Sequence, residues 1–261
     1  MSPTNEDLAR IQKQFRRQAE AYERMATVSD ARTHRAFVQL SGVTERDAVL
    51  DVACGPAFLT MAFAERCAAA VGVDGTDLFI DHARREASRR GLDNVRFVLG
   101  DVERLPLADG SFDAVSCRAA FHHFPRPAAV LAEMVRVAKP RVRFVIADQV
   151  SSEDPEKAAL HNQIERLCDP THVRALARSE LERLFESRGL GVTYRVESRI
   201  DYTLREWMAH GGPSAECARE IEDKMRASMD GDRAGLFVRV ENGELCFSHT
   251  AVVFVVEPRG G

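Results

Sequence analysis

Val49-Leu50-Asp51-Val52-Ala53-Cys54-Gly55-Pro56-Ala57-Phe58-Leu59 runs an apolar strand pattern into a tight turn of small residues, with a helical pattern directly behind it. Working outward, the same alternation repeats. Strands are expected at Ala48–Ala53, Ala70–Asp74, Val95–Leu99, Ala114–Cys117 and Val142–Asp148, with helices near 58–68, 77–90 and 127–138. The strands are continuous apolar runs, as expected where helices cover both faces of a sheet. Strand–helix alternation of this kind demands right-handed crossovers and a mostly parallel, doubly wound α/β sheet of the Rossmann-like type.

Upstream, Asn5 opens an amphipathic helix over 5–24, in which Leu8, Ile11, Phe15, Ala19 and Tyr22 form one apolar stripe. A second helix near 30–41 stops at Gly42. Downstream, helices are expected near 155–167 and 178–188. Two long strands, Val192–Tyr202 and Thr250–Glu257, bring the expected sheet to seven strands. About forty-five residues separate those two strands, a length that usually covers something. They contain Trp207, Met208, Met225, Phe237 and a charged helix near 214–228. With Phe185 they read as a substrate lid, and a structural excursion or homodimer contact is the other use of such an insertion.

A chain of 261 residues can bury roughly 75% of its unfolded surface. With 45% hydrophobic residues it is not a solvated coil, and no apolar run approaches the ~20 residues of a membrane span. The first seventeen residues are polar and charged, unlike a secretory signal. A net charge of −4 argues against a nucleic-acid partner. Six widely spaced cysteines without a CxxC pair fit neither a disulfide framework nor a zinc knuckle. Histidines without HxxxH or HxE spacing lead us to expect no metal. The expected setting is cytoplasmic.

In doubly wound sheets the ligand sits at the carboxyl ends of the strands where strand order reverses. The Cys54–Ala57 turn lies there. GxGxxG, the dinucleotide signature, is absent, which counts against an NAD(P)-dependent oxidoreductase. Asp74 ends the second strand nineteen residues after Gly55, where a carboxylate can accept both hydroxyls of a ribose. Asp101 ends the third strand, where it could accept from an adenine amine. With Asp51 inside the first strand, this order of acids indicates a nucleoside site.

In these segments the chain resembles the class I S-adenosylmethionine-dependent methyltransferases, of the type-11 group similar to the ubiquinone/menaquinone C-methyltransferases. The resemblance spans about 15–190 and rests on several motifs. They are Val49–Gly55, Gly72-Val73-Asp74-Gly75-Thr76, Gly100–Leu107, Ser111-Phe112-Asp113-Ala114-Val115, Phe121-His122-His123-Phe124-Pro125 and Glu133–Pro140. It implies S-adenosylmethionine as cofactor and S-adenosylhomocysteine as product. It further implies that Asp51, Ala53 and Gly55 line the methionine cradle, that Asp74 and Gly75 hold the ribose, and that Asp101 and Val102 flank the adenine. Arg118 would lie near the sulfonium end, and the helix carrying Tyr22 would fold over the cofactor. Three parts follow: a helical cap over 1–42, a cofactor-binding core over 43–150, and sheet completion with the lid over 151–261. Two departures stand out. Ala57 replaces the family's usual glycine and fits only at negative φ; Arg141-Val142 replaces a Gly-Gly turn into the fifth strand.

Methyl transfer needs an aligned nucleophile, exclusion of water and, for some acceptors, a base. His122 and His123 follow strand four, and their alternative role is to brace the loop. Asp148 shares that edge and would orient a substrate hydroxyl or cap the following loop. In the lid, His172 and Arg174 are candidates for substrate contact; Arg174 could instead pair with Asp169. The expected activity is methyl transfer to a small aromatic or hydrophobic acceptor at carbon, oxygen or nitrogen. A cofactor-binding protein without methyl transfer is the alternative, ahead of an oxidoreductase. A nucleic-acid methyltransferase is disfavoured, because Arg118–His123 stands where an Asn/Asp-Pro-Pro-aromatic turn is often found.

Overall fold

The computed structural model describes residues 30–259. The helix expected over 5–24, Tyr22 included, lies outside the described residues. Helix α1 (Ala31–Ser41) is capped by the Asp30 carboxylate on the amides of Arg32 and Thr33, and ends in left-handed Gly42. Then come β1 (Ala48–Val52), α2 (Phe58–Ala64), β2 (Ala69–Asp74), α3 (Asp77–Arg90), β3 (Val95–Leu99) and β4 (Phe112–Arg118). A 3₁₀ turn at Phe121–His123 leads to α4 (Pro127–Val137), β5 (Ala138–Val150), α5 (Pro155–Cys168), α6 (Arg178–Glu186) and β6 (Leu190–Thr203). The chain closes with α7 (Leu204–Gly211), α8 (Ala215–Ser228), β7 (Arg239–Glu241) and β8 (Glu244–Pro258).

The sheet runs β3-β2-β1-β4-β5-β8-β6, with short β7 paired to the start of β8. The strands β3 to β5 are parallel, and β8 inserts antiparallel between β5 and β6. Strand order reverses between β1 and β4, which places the crevice beside the Cys54–Ala57 turn and Arg118. Both faces of the central strands are buried. Leu50 and Val52 join Val115, Phe144 and Phe254 on one side, while Val49 joins Phe63, Ala114 and Val145 on the other. That two-sided burial explains the unbroken apolar strands.

Several boundaries differ from the sequence expectation. No turn separates α4 from β5: the strand begins at Ala138 and carries Arg141 outward, so the missing Gly-Gly is not needed. Phe185 belongs to the central core, not to a lid. The insertion between β6 and β8 forms its own small core, where Trp207, Ile221 and Met225 pack on Ile164 and Cys168 of α5. Among the described residues, no helix is long and apolar enough to cross a membrane.

Candidate active site

The turn after β1 is built for close approach. Ala53, Gly55 and Ala57 all have positive φ, at 54°, 53° and 64°. The condition that Ala57 needs negative φ is therefore not met: its methyl is held in a left-handed conformation usually left to glycine. Such conformations persist where the surroundings over-determine them, commonly at ligand sites. Here Asp74 supplies the constraint. Its carboxylate accepts from the Gly55 and Thr76 amides, each at 2.8 Å, and ties the ends of β1 and β2 together. Gly72 lets the turn pack down on β2, since a Cβ there would lie 2.9 Å from the Cys54 Sγ.

Asp51 is buried and accepts from Ser116 Oγ at 2.6 Å and Thr60 Oγ1 at 2.7 Å. Burial pushes its carboxyl up to about 6, against the pull of those two hydroxyls. Burial likewise raises Asp74 above the usual carboxylate range, opposed by the amides of Gly55 and Thr76. Asp101 follows β3 and accepts from the Glu103 amide at 2.8 Å, and Val102 packs against the central core. The fold thus sets three carboxylates in succession along the carboxyl edge of the sheet. The Cys54 and Cys117 thiols beside them are pushed well above the ordinary thiol range by burial and carry no thiolate character.

A small cleft is lined by Asp51, Ala53, Gly55, Phe58 and Arg118. Arg118 also lines a second, larger cavity of about 850 Å³, together with His122, Asp148, Tyr202 and His249. Within the latter, Asp148 holds His122 from two directions. The His122 amide donates to Oδ2 at 3.0 Å, and Nδ1 stands 2.5 Å from Oδ1. Burial alone would lower the His122 pKa, but the Asp148 charge and hydrogen bond override it and hold it above the ordinary imidazole value. Asp148 therefore pairs with an imidazole; neither reading from sequence, a substrate-hydroxyl contact or a loop cap, anticipated that.

His123 is set differently. Its Nδ1 lies 3.2 Å from both the carbonyl and the hydroxyl oxygen of Thr171, and burial with the neighbouring His122 lowers its pKa to about 4. Of the pair, His122 is the one that lines the cavity. The segment after α5 docks on this turn, with the amides of Val173 and Arg174 both donating to the His122 carbonyl. His172 is thereby brought within 5.5 Å of the His122 ring, but it is buried and bonded to Asn162 at 2.8 Å. Arg174 pairs with Glu180 at 3.0 Å, not with Asp169, whose carboxylate caps Thr171. Arg174 lines a separate cavity of about 520 Å³ on the far side of that segment. Neither His172 nor Arg174 lines the His122 cavity.

Sequence reasoning passed over the opposite wall of that cavity, formed by Ser198–Tyr202 of β6 and His249 of β8. His249 falls one residue before the strand expected from Thr250, and an isolated histidine at a strand margin carries no local signal.

With this geometry in view, comparisons with known proteins become specific. A sequence profile described as a methyltransferase domain matches residues 44–189. "Uncharacterized methyltransferase YcgJ" of Bacillus subtilis is 29% identical over 231 residues, covering 88% of this chain and 91% of that protein. A demethylmenaquinone methyltransferase of Thermus thermophilus is 36% identical over 122 residues, covering 46% of this chain and 55% of its own. The crystal structure of the B. subtilis YcgJ protein superposes with a TM-score of 0.83 at 28% identity, over 88% of this chain and 99% of that one. A putative methyltransferase from Bacillus halodurans gives the same TM-score at 25% identity, over 88% of this chain and all of that one.

Proposed function

Because the chain belongs to the methyltransferase-domain family of S-adenosylmethionine-dependent enzymes, we propose that it methylates a small aromatic or otherwise hydrophobic acceptor held in the Arg118–His122 cavity. One observation carries this reading: Arg118 lines both the small cleft at the Cys54–Ala57 turn and the larger cavity. A cofactor in the first is therefore adjacent to an acceptor in the second. S-Adenosylmethionine supplies an electrophilic methyl group when bound.

The chain's own residues do the rest. Asp74 presents its remaining lone pairs to the ribose, with Gly75 beside it. Asp101 and Val102 take the adenine, and the left-handed Ala53–Ala57 turn admits the methionine part. Arg118 sits at the junction. Asp148 fixes the His122 tautomer and raises its basicity, so that Nε2 serves as proton acceptor for an acceptor group that must lose a proton. His123 and His172 brace the turn and do not touch substrate. The apolar share of the cavity, from Phe37, Ile200 and Val253, favours a hydrophobic ring. Six free thiols fit a reducing, cytoplasmic setting. The exposed β6 edge, with Val192, Tyr194 and Val196, offers a surface for a homodimer.

Calorimetric titration with S-adenosylmethionine, S-adenosylhomocysteine, NADH and NADPH tests the cofactor assignment. Micromolar binding of the first two alone is expected, and nicotinamide binding would overturn the reading. Turnover across a panel of phenols, quinols and amines, compared with the His122→Gln variant, tests the acceptor and the base together. Bound cofactor without turnover of any member would favour the non-transferring alternative.

A further inference from the structure

Behind the cavity wall the fold assembles a group that methyl transfer does not use. His161 and Glu165 lie one turn apart on α5, and His249 reaches them from β8, 84 residues further on. One potential ligand atom from each lies within 4.8 Å of the others, and all three residues are buried. Glu165 Oε1 is 2.7 Å from His249 Nε2 and 3.7 Å from His161 Nε2. The second distance is too long for a hydrogen bond. His161 is 1% exposed, and among the described residues neither of its buried ring nitrogens has a hydrogen-bond partner. Two unmet nitrogens in the interior cost about 1–3 kcal/mol each. An arrangement that leaves them unmet beside a buried carboxylate calls for an electrophile.

We propose that His161, Glu165 and His249 form a binding site for a divalent first-row transition-metal ion. Bonds of about 2.0–2.1 Å to nitrogen and oxygen place the ligand atoms of one ion roughly 3–3.5 Å apart. The observed separations bracket that range, so small side-chain rotations close the site. Two imidazoles with one carboxylate is a donor set used for zinc and for iron(II), with positions left open for other ligands. His249 also lines the 850 Å³ cavity, so the ion site adjoins the cavity wall. The metal site does not depend on the methyl-transfer reading.

The test uses the full-length protein stripped with chelator and titrated with Co(II) and Zn(II), followed by calorimetry and visible absorption. One ion per chain is expected. Outer-shell partners alone change metal affinity by about 10–100-fold, so losing a ligand in Glu165→Gln or His161→Ala should cost at least about 100-fold. X-ray absorption on the Zn(II)-loaded wild-type protein needs no variant and should give imidazole and oxygen ligands with no sulfur. Absence of stoichiometric binding, sulfur ligation, or unchanged affinity in folded variants would overturn the proposal. Methyl-acceptor turnover plays no part in these readouts.

Discussion

Replacing Asp148 by Asn isolates the charge that governs His122. In the wild-type protein the carboxylate accepts from the His122 amide, from Nδ1 and from the Gln149 amide at 2.7 Å. The Asn oxygen can still serve Nδ1 and Gln149, but its NH₂ then faces the His122 amide, donor against donor. That orphaned amide costs about 1–3 kcal/mol. The lost charge is the larger effect. At an effective dielectric near 20 and a charge separation of about 4 Å, the pair is worth about 4 kcal/mol. Glu165 and Asp169 still pull upward in the variant, but more weakly, so burial dominates and the His122 pKa should fall below the ordinary imidazole value.

The sign of the stability effect follows. A histidine whose folded pKa is raised contributes fully below its unfolded value of about 6.5 and loses that contribution as pH climbs through the folded value. The gap between wild type and Asp148→Asn should therefore be about 3–5 kcal/mol near pH 6, the usual cost of breaking a buried pair. Well above the folded pKa it should shrink to the amide penalty. Urea unfolding at pH 6 and pH 9 measures the gap, and NMR titration of isotope-labelled histidine, assigned with His122→Gln, follows the pKa. A His122 titration unmoved in the variant, or an equal gap at both pH values, refutes the reasoning.

Four further outcomes are expected. Asp74→Asn keeps one acceptor oxygen for two backbone donors and the ribose, so S-adenosylmethionine affinity should fall about 100-fold by calorimetry, since charge-assisted hydrogen bonds contribute ~1.5–3 kcal/mol each. Asp51 has a folded pKa near 6 against an ordinary 3.8, so its folded form holds the proton longer and stability falls by about 3 kcal/mol as pH rises through that window. Asp51→Asn should remove that contribution, so the stability difference between wild type and variant in urea melts should change by that amount between pH 3.5 and 7; a difference that stays constant across the window would contradict the assignment. Gly72→Ala drives a methyl against Cys54, Thr60 and Phe97 at 2.9–3.1 Å and should cost about 1–3 kcal/mol, lowering Tm by roughly 3–10 °C in calorimetry. Arg174→Ala should change stability by less than about 1 kcal/mol and leave cofactor affinity intact, because its partner Glu180 is at the surface.

The alternation of strands and helices was legible because burial on both sheet faces writes itself into unbroken apolar runs, and helix boundaries such as Gly42 and Asp154–Pro155 carry local capping chemistry. Helix α7 and strand β7 were missed. Both are short; the apolar residues of α7 pack into a satellite core whose other half, Ile164 and Cys168, is remote in sequence, and β7 carries one apolar residue, Val240, which is exposed. Arg141-Val142 in place of Gly-Gly goes with a different entry into the fifth strand: β5 begins at Ala138 directly after α4, and its register against β4 shifts between Ala138 and Arg143.

The sequence by itself determined the sheet class, the acids at the ends of β1, β2 and β3, and the methyltransferase resemblance. Each is a matter of residue type at short, fixed spacing along one strand and the turn after it. Only the tertiary structure decided which histidine faces the cavity, that Asp148 is its partner, and that Arg174 faces another surface. It alone brought His249 to His161 and Glu165. The pairing of His122 with Asp148 and the meeting of His249 with His161 and Glu165 join residues 26 to 88 positions apart, and their energies come from burial and charge, which exist only once the chain has closed around them.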